Sequence, residues 1–186
     1  NFIMSDIKIE DNFLSPNFFK DVEDLFDPHN PENEVQKKFG SIPWSLGQII
    51  YGISNINNYQ LSHVMYHQPC ADLGATPTTS PINDLIFPAF FSKIYARSIL
   101  RIKSNLQMRT YEIIKHEFHK DYNEDFDGVK TSIYYLNTNN GYTEFEDGTI
   151  IESIGNRLVT FPCNMKHRGT TCTNKPFRIV INFNYF

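Results

Sequence analysis

Residues 130–162 read KTSIYYLNTNNGYTEFEDGTIIESIGNRLVTFP. Short runs rich in β-branched and aromatic residues alternate here with turn signals, as they do in successive antiparallel strands. The turn signals are Asn139-Asn140-Gly141, Asp147-Gly148 and Gly155-Asn156. The pattern predicts four short strands, at 130–136, 142–146, 149–152 and 157–162.

Further strands are predicted on both sides of this stretch, at 99–108, 110–119 and 177–185. Short strands in this number indicate a β-sandwich or jelly roll. Because the chain has 186 residues, we expect one domain, residues 1–186, with its β-core in residues 99–186.

Residues 1–98 are expected to support the β-core with helices and a long loop. Apolar spacing predicts a strand at Ile7–Asp11, a first helix from Pro16 to Asp27, and a second helix at Asn57–His67. A third helix is predicted from Pro88 to Arg97. Three prolines and a Thr/Ser cluster predict a loop at 68–84. The fold class expected from the sequence is therefore mainly β with N-terminal helices.

Composition excludes some classes of function. Lys and Arg total 17 against 21 Asp and Glu, a net charge of −4, so we expect no nucleic-acid partner. No apolar run approaches the roughly 20 residues that span a bilayer, and the first residues lack the features of a signal peptide. The three cysteines are an odd number that favours reduced thiols. We therefore expect a soluble cytoplasmic protein without a membrane partner.

His119-Lys120-Asp121 is the first candidate for a metal site, because period-2 alternation on a strand places both ligand side chains on one face. His167 follows 48 residues later, just beyond a predicted strand. Two imidazoles and one carboxylate suit non-haem Fe(II), since they leave three octahedral positions open. Arg178, in the last predicted strand, is suited to bind the far carboxylate of a chelating 2-oxo acid.

A resemblance rests on these residues and on the sequences between them. The segments that carry the resemblance are, in chain order, His119-Lys120-Asp121, Ile133-Tyr134-Tyr135-Leu136-Asn137, Asn140-Gly141-Tyr142-Thr143-Glu144-Phe145, Gly155 to Pro162, His167-Arg168-Gly169 and Pro176 to Phe183. In this order they resemble the core of the 2-oxoglutarate- and Fe(II)-dependent dioxygenases, specifically the prolyl-4-hydroxylase-like branch. The resemblance covers residues 99–186 well and residues 1–98 loosely.

The resemblance implies a double-stranded β-helix (a jelly roll, cupin-like) with a catalytic β-core. It also implies that His119, Asp121 and His167 bind Fe(II), and that Arg178 and Tyr135 hold the 5-carboxylate of the co-substrate 2-oxoglutarate. Tyr111 is the candidate for the other end of the co-substrate, because it precedes His119 by an even number of residues on the predicted strand. The resemblance further implies dioxygen as the oxidant and ascorbate as a reductant.

Two departures from the family pattern concern the substrate. Asn140-Gly141 stands where the family often has Gly-Gly, which alters a turn. Asn184 stands where prolyl hydroxylases often carry Trp and where nucleic-acid demethylases usually have a second Arg, so the demethylase branch is disfavoured.

Three functions are compatible with these features. Hydroxylation of a peptidyl proline is the leading hypothesis, so the expected partner is a peptide or protein. The first alternative is hydroxylation of a free amino acid or other small metabolite. The second is a catalytically inactive cupin-like binding module. His116 is expected to be structural, because a spacing of three from His119 on a strand points it to the opposite face. Cys163, His167 and Cys172 resemble a fragment of a zinc site, which is disfavoured because no C-x-x-C accompanies them.

Overall fold

The computed structural model describes residues 6–26, 33–53, 55–68, 78–122 and 128–186. The helices are α1 (Pro16–Phe26), α2 (Glu34–Phe39) and α3 (Asn83–Ile94). The strands are β1 (Lys8–Glu10), β2 (Ser45–Gln48), β3 (Tyr59–His67), β4 (Thr78–Thr79), β5 (Ile99–Met108), β6 (Lys130–Tyr135), β7 (Tyr142–Phe145), β8 (Ile150–Glu152), β9 (Arg157–Pro162), β10 (His167–Gly169) and β11 (Phe177–Tyr185). The protein is therefore mainly β. In the part of the chain described, no helix is long and apolar enough to cross a membrane.

The strands form two antiparallel sheets. The larger sheet has eight strands in the order β1-β9-β6-β11-β5-β3-β2, with β4 paired to β3. The smaller sheet has the order β10-β7-β8. The predicted strands at 99–108, 157–162 and 177–185 match β5, β9 and β11, and the crossing order of the strands is compatible with a jelly roll.

Strand β6 is buried on both faces and separates two apolar cores. Because side chains alternate along a strand, Tyr134 points to one face while Ile133 and Tyr135 point to the other. Tyr134 packs with Phe13 and Phe90 in the core beneath the helices. Ile133 and Tyr135 belong to the core between the two sheets, which also includes Phe145, Ile151, Val159, Phe161, Met165 and Val180.

The helices cover the outer face of the large sheet. The amphipathic α1 buries Val22, Leu25 and Phe26 in the core beneath the helices. Residues 1–98 also contribute β2, β3 and β4 to the large sheet, which the prediction of helices and a loop did not include. The helices leave the other face of the large sheet turned toward β7, β8 and β10.

Two predicted elements are wrong, and both errors concern the site. Residues 57–67 were expected to be helical, but Tyr59–His67 is strand β3, paired with β2 on one side and β5 on the other. Residues 110–119 were expected to be a strand, but this segment is irregular and holds two isolated bridges, Lys115 to Thr170 and His119 to His167. Pairing with distant strands decides both cases, and local sequence does not contain it.

The third helix begins earlier than predicted. Helix α3 spans Asn83–Ile94 with Pro88 inside it, whereas the sequence predicts Pro88 as the first helical residue. It ends at Tyr95, which adopts the left-handed conformation with φ of 50°. Of the predicted loop at 68–84, residues 69–77 lie outside the described residues. Thr78–Thr79 form β4, residues 80–82 connect it to α3, and α3 begins at Asn83.

Candidate metal centre and co-substrate cavity

Three potential metal ligands meet at one end of a cavity of about 460 Å³. His119 and Asp121 come from the segment after β5, and His167 is the first residue of β10. The backbones of His119 and His167 exchange two hydrogen bonds, with N···O distances of 3.0 and 2.9 Å. One ligand atom from each of His119, Asp121 and His167 lies within 4.8 Å of the others. A donor set of two imidazoles and one carboxylate in this arrangement fits a divalent iron.

The two imidazoles are oriented by backbone carbonyls. Nδ1 of His167 lies 3.0 Å from the carbonyl oxygen of Met165, and Nδ1 of His119 lies 3.4 Å from that of Glu117. When Nδ1 donates to a carbonyl, Nε2 keeps the lone pair that binds a metal. Burial and the neighbouring His167 lower the pKa of His119 to about 4, so its ring is neutral at pH 7.

Asp121 is held as a carboxylate by three neighbours. Its Oδ2 accepts hydrogen bonds from Thr131 Oγ1 at 2.8 Å and from Asn184 Nδ2 at 2.9 Å. Its Oδ1 lies 3.5 Å from a guanidinium nitrogen of Arg101. Burial alone would raise the pKa of Asp121, but His167, Arg101 and the Asn184 bond lower it to about 2. Asn184, the residue that departs from the pattern of prolyl hydroxylases in the sequence, therefore positions a candidate metal ligand.

Arg178 lines the same cavity and is 4% exposed. Its Nε donates to Ser153 Oγ at 2.8 Å, and one terminal nitrogen donates to Thr143 Oγ1 at 3.2 Å. Among the described residues, no carboxylate lies within 4 Å of this guanidinium. A buried cation without an anion is costly unless a ligand supplies one.

Gly141 makes room for the Arg178 side chain. A Cβ atom at this position would lie 2.8 Å from Cδ of Arg178 and 2.7 Å from the carbonyl oxygen of Thr171. These separations are too short for carbon–carbon and carbon–oxygen contacts. The glycine kept in the turn Asn140-Gly141 is therefore required by the packing of Arg178.

The two tyrosines predicted to contact the co-substrate occupy different positions. Tyr135 is fully buried, and the centroid of its ring lies 5.5 Å from Cζ of Arg178. Its hydroxyl donates a hydrogen bond to Thr143 Oγ1 at 2.8 Å. Tyr135 does not line the cavity directly. Tyr111 is fully exposed and lies outside the cavity lining. The expectation that Tyr111 faces the site is wrong, because the strand that was to orient it is absent.

His116 lies in the cavity wall, whereas strand alternation predicted that it points away from His119. It is 7% exposed, and neither ring nitrogen has a hydrogen-bond partner among the described residues. The expectation failed because the irregular backbone between His116 and His119 does not follow strand alternation. Neither Cys163 nor Cys172 joins the cluster of His119, Asp121 and His167, and both cysteines are buried.

Sequence reasoning also missed the wall formed by β5. Its cavity-lining side chains are Arg101, Lys103, Asn105 and Gln107. The signal was present in the sequence, since these polar residues occupy alternate positions of one predicted strand. Thr143 and Ser153, which orient Arg178, had no comparable signal, because their partner is distant in the chain.

Comparisons with known proteins find likeness in fold alone. The sequence matches no protein-family model and none of the curated proteins. Among solved structures, it is similar to a prolyl hydroxylase from Trichoplax adhaerens in complex with a peptide fragment of the hypoxia inducible factor oxygen degradation domain. The identity is 15% and the TM-score 0.62, covering 98% of this chain and 84% of that one.

Two further structures share the fold. An oxidoreductase of the 2OG-Fe(II) oxygenase family from Burkholderia pseudomallei is 11% identical with a TM-score of 0.61, covering 98% of this chain and 85% of that one. The non-heme alpha ketoglutarate dependent carbocyclase SnoK of nogalamycin biosynthesis is 12% identical with a TM-score of 0.63, covering 97% and 79%. The chain thus has the fold of the 2-oxoglutarate- and Fe(II)-dependent oxygenases, prolyl hydroxylases among them.

Proposed function

We propose that this protein is an Fe(II)- and 2-oxoglutarate-dependent oxygenase. The observation that carries the proposal is the pairing of two features in one cavity. One is the cluster of His119, Asp121 and His167, and the other is the buried guanidinium of Arg178, which has no carboxylate partner among the described residues. A divalent iron and a dicarboxylate would satisfy both features at once.

His119, Asp121 and His167 would hold the iron. When bound, Fe(II) supplies the redox chemistry that couples oxidative decarboxylation of 2-oxoglutarate by dioxygen to oxidation of a substrate C–H bond. The carboxylate of Asp121 and the neutral ring of His119 are ready to bind a metal at pH 7 without losing protons.

Arg178 would bind the far carboxylate of the co-substrate. Ser153 and Thr143 accept hydrogen bonds from two N–H groups of Arg178 and so fix the plane of the guanidinium. The remaining N–H groups can donate to a carboxylate. Tyr135 would act beneath Arg178, through their shared partner Thr143, by limiting the rotation of the guanidinium. Ile133 and Val180 add apolar surface to the cavity wall.

For the oxidised substrate, the leading hypothesis is a peptidyl proline. Support comes from the likeness in fold to a prolyl hydroxylase whose structure contains a peptide. Hydroxylation of a small metabolite is the second candidate, supported by the likeness in fold to a carbocyclase of a biosynthetic route. The inactive binding module is disfavoured, because a protein that only binds has no need of both the metal-type cluster and Arg178.

The test follows metal and co-substrate separately. Purified protein is loaded with Fe(II) under anaerobic conditions, and 2-oxoglutarate is added. We expect the weak visible band of a chelated 2-oxo acid, and then succinate when air and ascorbate are admitted. His119→Ala, Asp121→Ala and His167→Ala should each abolish both signals while keeping the fold. His67→Ala, which alters an exposed histidine of β3, is the matched control and should keep both. Retention of the band and of succinate release in all three site variants would overturn the assignment.

A further inference from the structure

The wall of the cavity formed by β5 carries charge that the proposed function does not use. Side chains at alternate positions of this strand face the cavity, namely Arg101, Lys103, Asn105 and Gln107. Two of them are already paired. Gln107 donates to Gln60 at 3.1 Å, and Arg101 donates to Asn184 at 3.0 Å while approaching Asp121.

Lys103 is different from its neighbours on the strand. It is half-buried, and it has neither a hydrogen bond nor an ion pair with any described residue. Burial and the positive charge of Arg101 lower the pKa of Lys103, whereas Asp121 raises it. An ammonium group in such a position is destabilising unless something supplies an anion or acceptor.

Two unpaired acceptors lie beside Lys103. Asn182 is its partner across the β5–β11 pairing, and Asn105 is two residues along β5 on the same face. Within the described residues, the Oδ1 atoms of Asn182 and Asn105 are buried and have no hydrogen-bond donor. Both residues line the cavity. The wall therefore presents one unpaired cation and two unpaired acceptors together.

The charges of the loaded site point to the sign of the missing group. A divalent iron is balanced by Asp121 and by the carboxylate of 2-oxoglutarate that would chelate it. The far carboxylate is balanced by Arg178. Lys103 then remains without an anion on the cavity-facing side of β5, beside the already paired Arg101, and the described lining contributes no further carboxylate. A ligand that completes this cavity must bring negative charge.

We propose that Lys103, with Asn105 and Asn182, forms a subsite that binds an anionic group of the oxidised substrate, together with an adjacent N–H donor. A carboxylate beside an N–H is the chemistry of an amino acid. It can come from a free amino acid or from an acidic residue of a peptide. This inference rests on the proposed function and narrows its substrate to compounds that carry a carboxylate.

The experiment measures binding to the anaerobic complex of the protein with Fe(II) and 2-oxoglutarate. Perturbation of the visible band and calorimetry both report the bound ligand. The probes are the common L-amino acids, each beside its C-terminal amide, and the blocked tripeptide Glu-Pro-Gly beside Gln-Pro-Gly. The first set tests a free amino acid as the source of the anion, and the second tests a peptide. The variants are Lys103→Met, Lys103→Arg and, as a control, Lys175→Met, which removes an exposed lysine.

We expect at least one acid to bind about 10- to 100-fold more tightly than its amide, the range of a hydrogen bond to a charged group. Lys103→Met should remove this preference, whereas Lys103→Arg and Lys175→Met should keep it. Because Lys103 is unpaired, the melting temperature of Lys103→Met without ligands should not fall. A structural lysine would give the opposite result.

The subsite is refuted if no acid in the panel binds better than its amide, or if Lys103→Met keeps the preference. The visible band separates this failure from that of the proposed function. A wild-type protein that forms the band with 2-oxoglutarate but shows no preference for acids retains the oxygenase assignment and loses the subsite. A protein that forms no band loses both.

Discussion

Replacing Arg178 with methionine should change stability and co-substrate binding in opposite directions. Methionine keeps much of the length and volume of the side chain but removes the charge. In the protein without ligands, Arg178 is a buried cation whose hydrogen bonds go to the neutral hydroxyls of Ser153 and Thr143. The mutation therefore removes an uncompensated charge while leaving two hydroxyls that can rotate toward other acceptors.

The two effects have different magnitudes. Loss of two hydrogen bonds costs about 1 kcal/mol each, whereas removal of a poorly compensated buried charge contributes several kcal/mol. We expect a net gain of about 1–3 kcal/mol in the free energy of unfolding, which corresponds to a rise of about 2–12 °C in melting temperature for a domain of this size. Without its cation, the site should bind 2-oxoglutarate about 30-fold to several thousand-fold more weakly, which corresponds to about 2–5 kcal/mol.

The assay combines melting curves without ligands with anaerobic titration of 2-oxoglutarate into the Fe(II) protein. Arg178→Lys serves as the matched variant, because it keeps the charge and loses the planar fork, so its loss of affinity should be smaller. Affinity for Fe(II) alone should stay near the wild-type value in both variants. A lower melting temperature of Arg178→Met together with unchanged affinity for 2-oxoglutarate would refute the reasoning and would identify Arg178 as a structural residue.

Two other positions give predictions of the same kind. Gly141→Ala places a methyl group 2.8 Å from Arg178 Cδ, so we expect overpacking to lower the free energy of unfolding by about 1–3 kcal/mol. Calorimetry should also show weaker binding of 2-oxoglutarate. If stability and affinity are both unchanged, the Arg178 side chain adapts freely. His116→Phe removes two ring nitrogens that have no hydrogen-bond partner in the part of the chain described, so the melting temperature should rise. If the ring donates to the bound co-substrate, affinity for 2-oxoglutarate should also fall by about tenfold or more. If His116→Phe binds 2-oxoglutarate as tightly as the wild type, the His116 ring does not donate to the co-substrate.

The sequence predicted the parts of the fold that depend on local pattern. Strands β9 and β11 coincide with the predicted ranges, because alternating apolar residues and turn signals mark their ends. The helix at 57–67 and the strand at 110–119 failed for one reason. Whether Tyr59–His67 is a strand depends on its pairing with β5, and the course of residues 110–119 depends on two bridges to residues more than 40 positions away.

The candidate site divides in the same way. The grouping of His119, Asp121 and His167 in space follows the prediction from motif and spacing, and their role as iron ligands stays a prediction. His116 and Tyr111 were misplaced together, since both depended on the strand that does not form. The partners of Arg178, Ser153 and Thr143, lie 25 and 35 residues away from it in the chain, and no local pattern points to them.

The alternation along β5 separates two kinds of constraint on mutation. Ile102 and Leu106 face the apolar core beneath the helices, where a change of volume affects folding. Lys103 and Asn105, between them in sequence, face the cavity. Substitutions at the cavity-facing positions can therefore alter what the protein accepts with little effect on the core. Among related chains that accept different ligands, we therefore expect the cavity-facing residues of this strand to differ while Ile102 and Leu106 stay apolar.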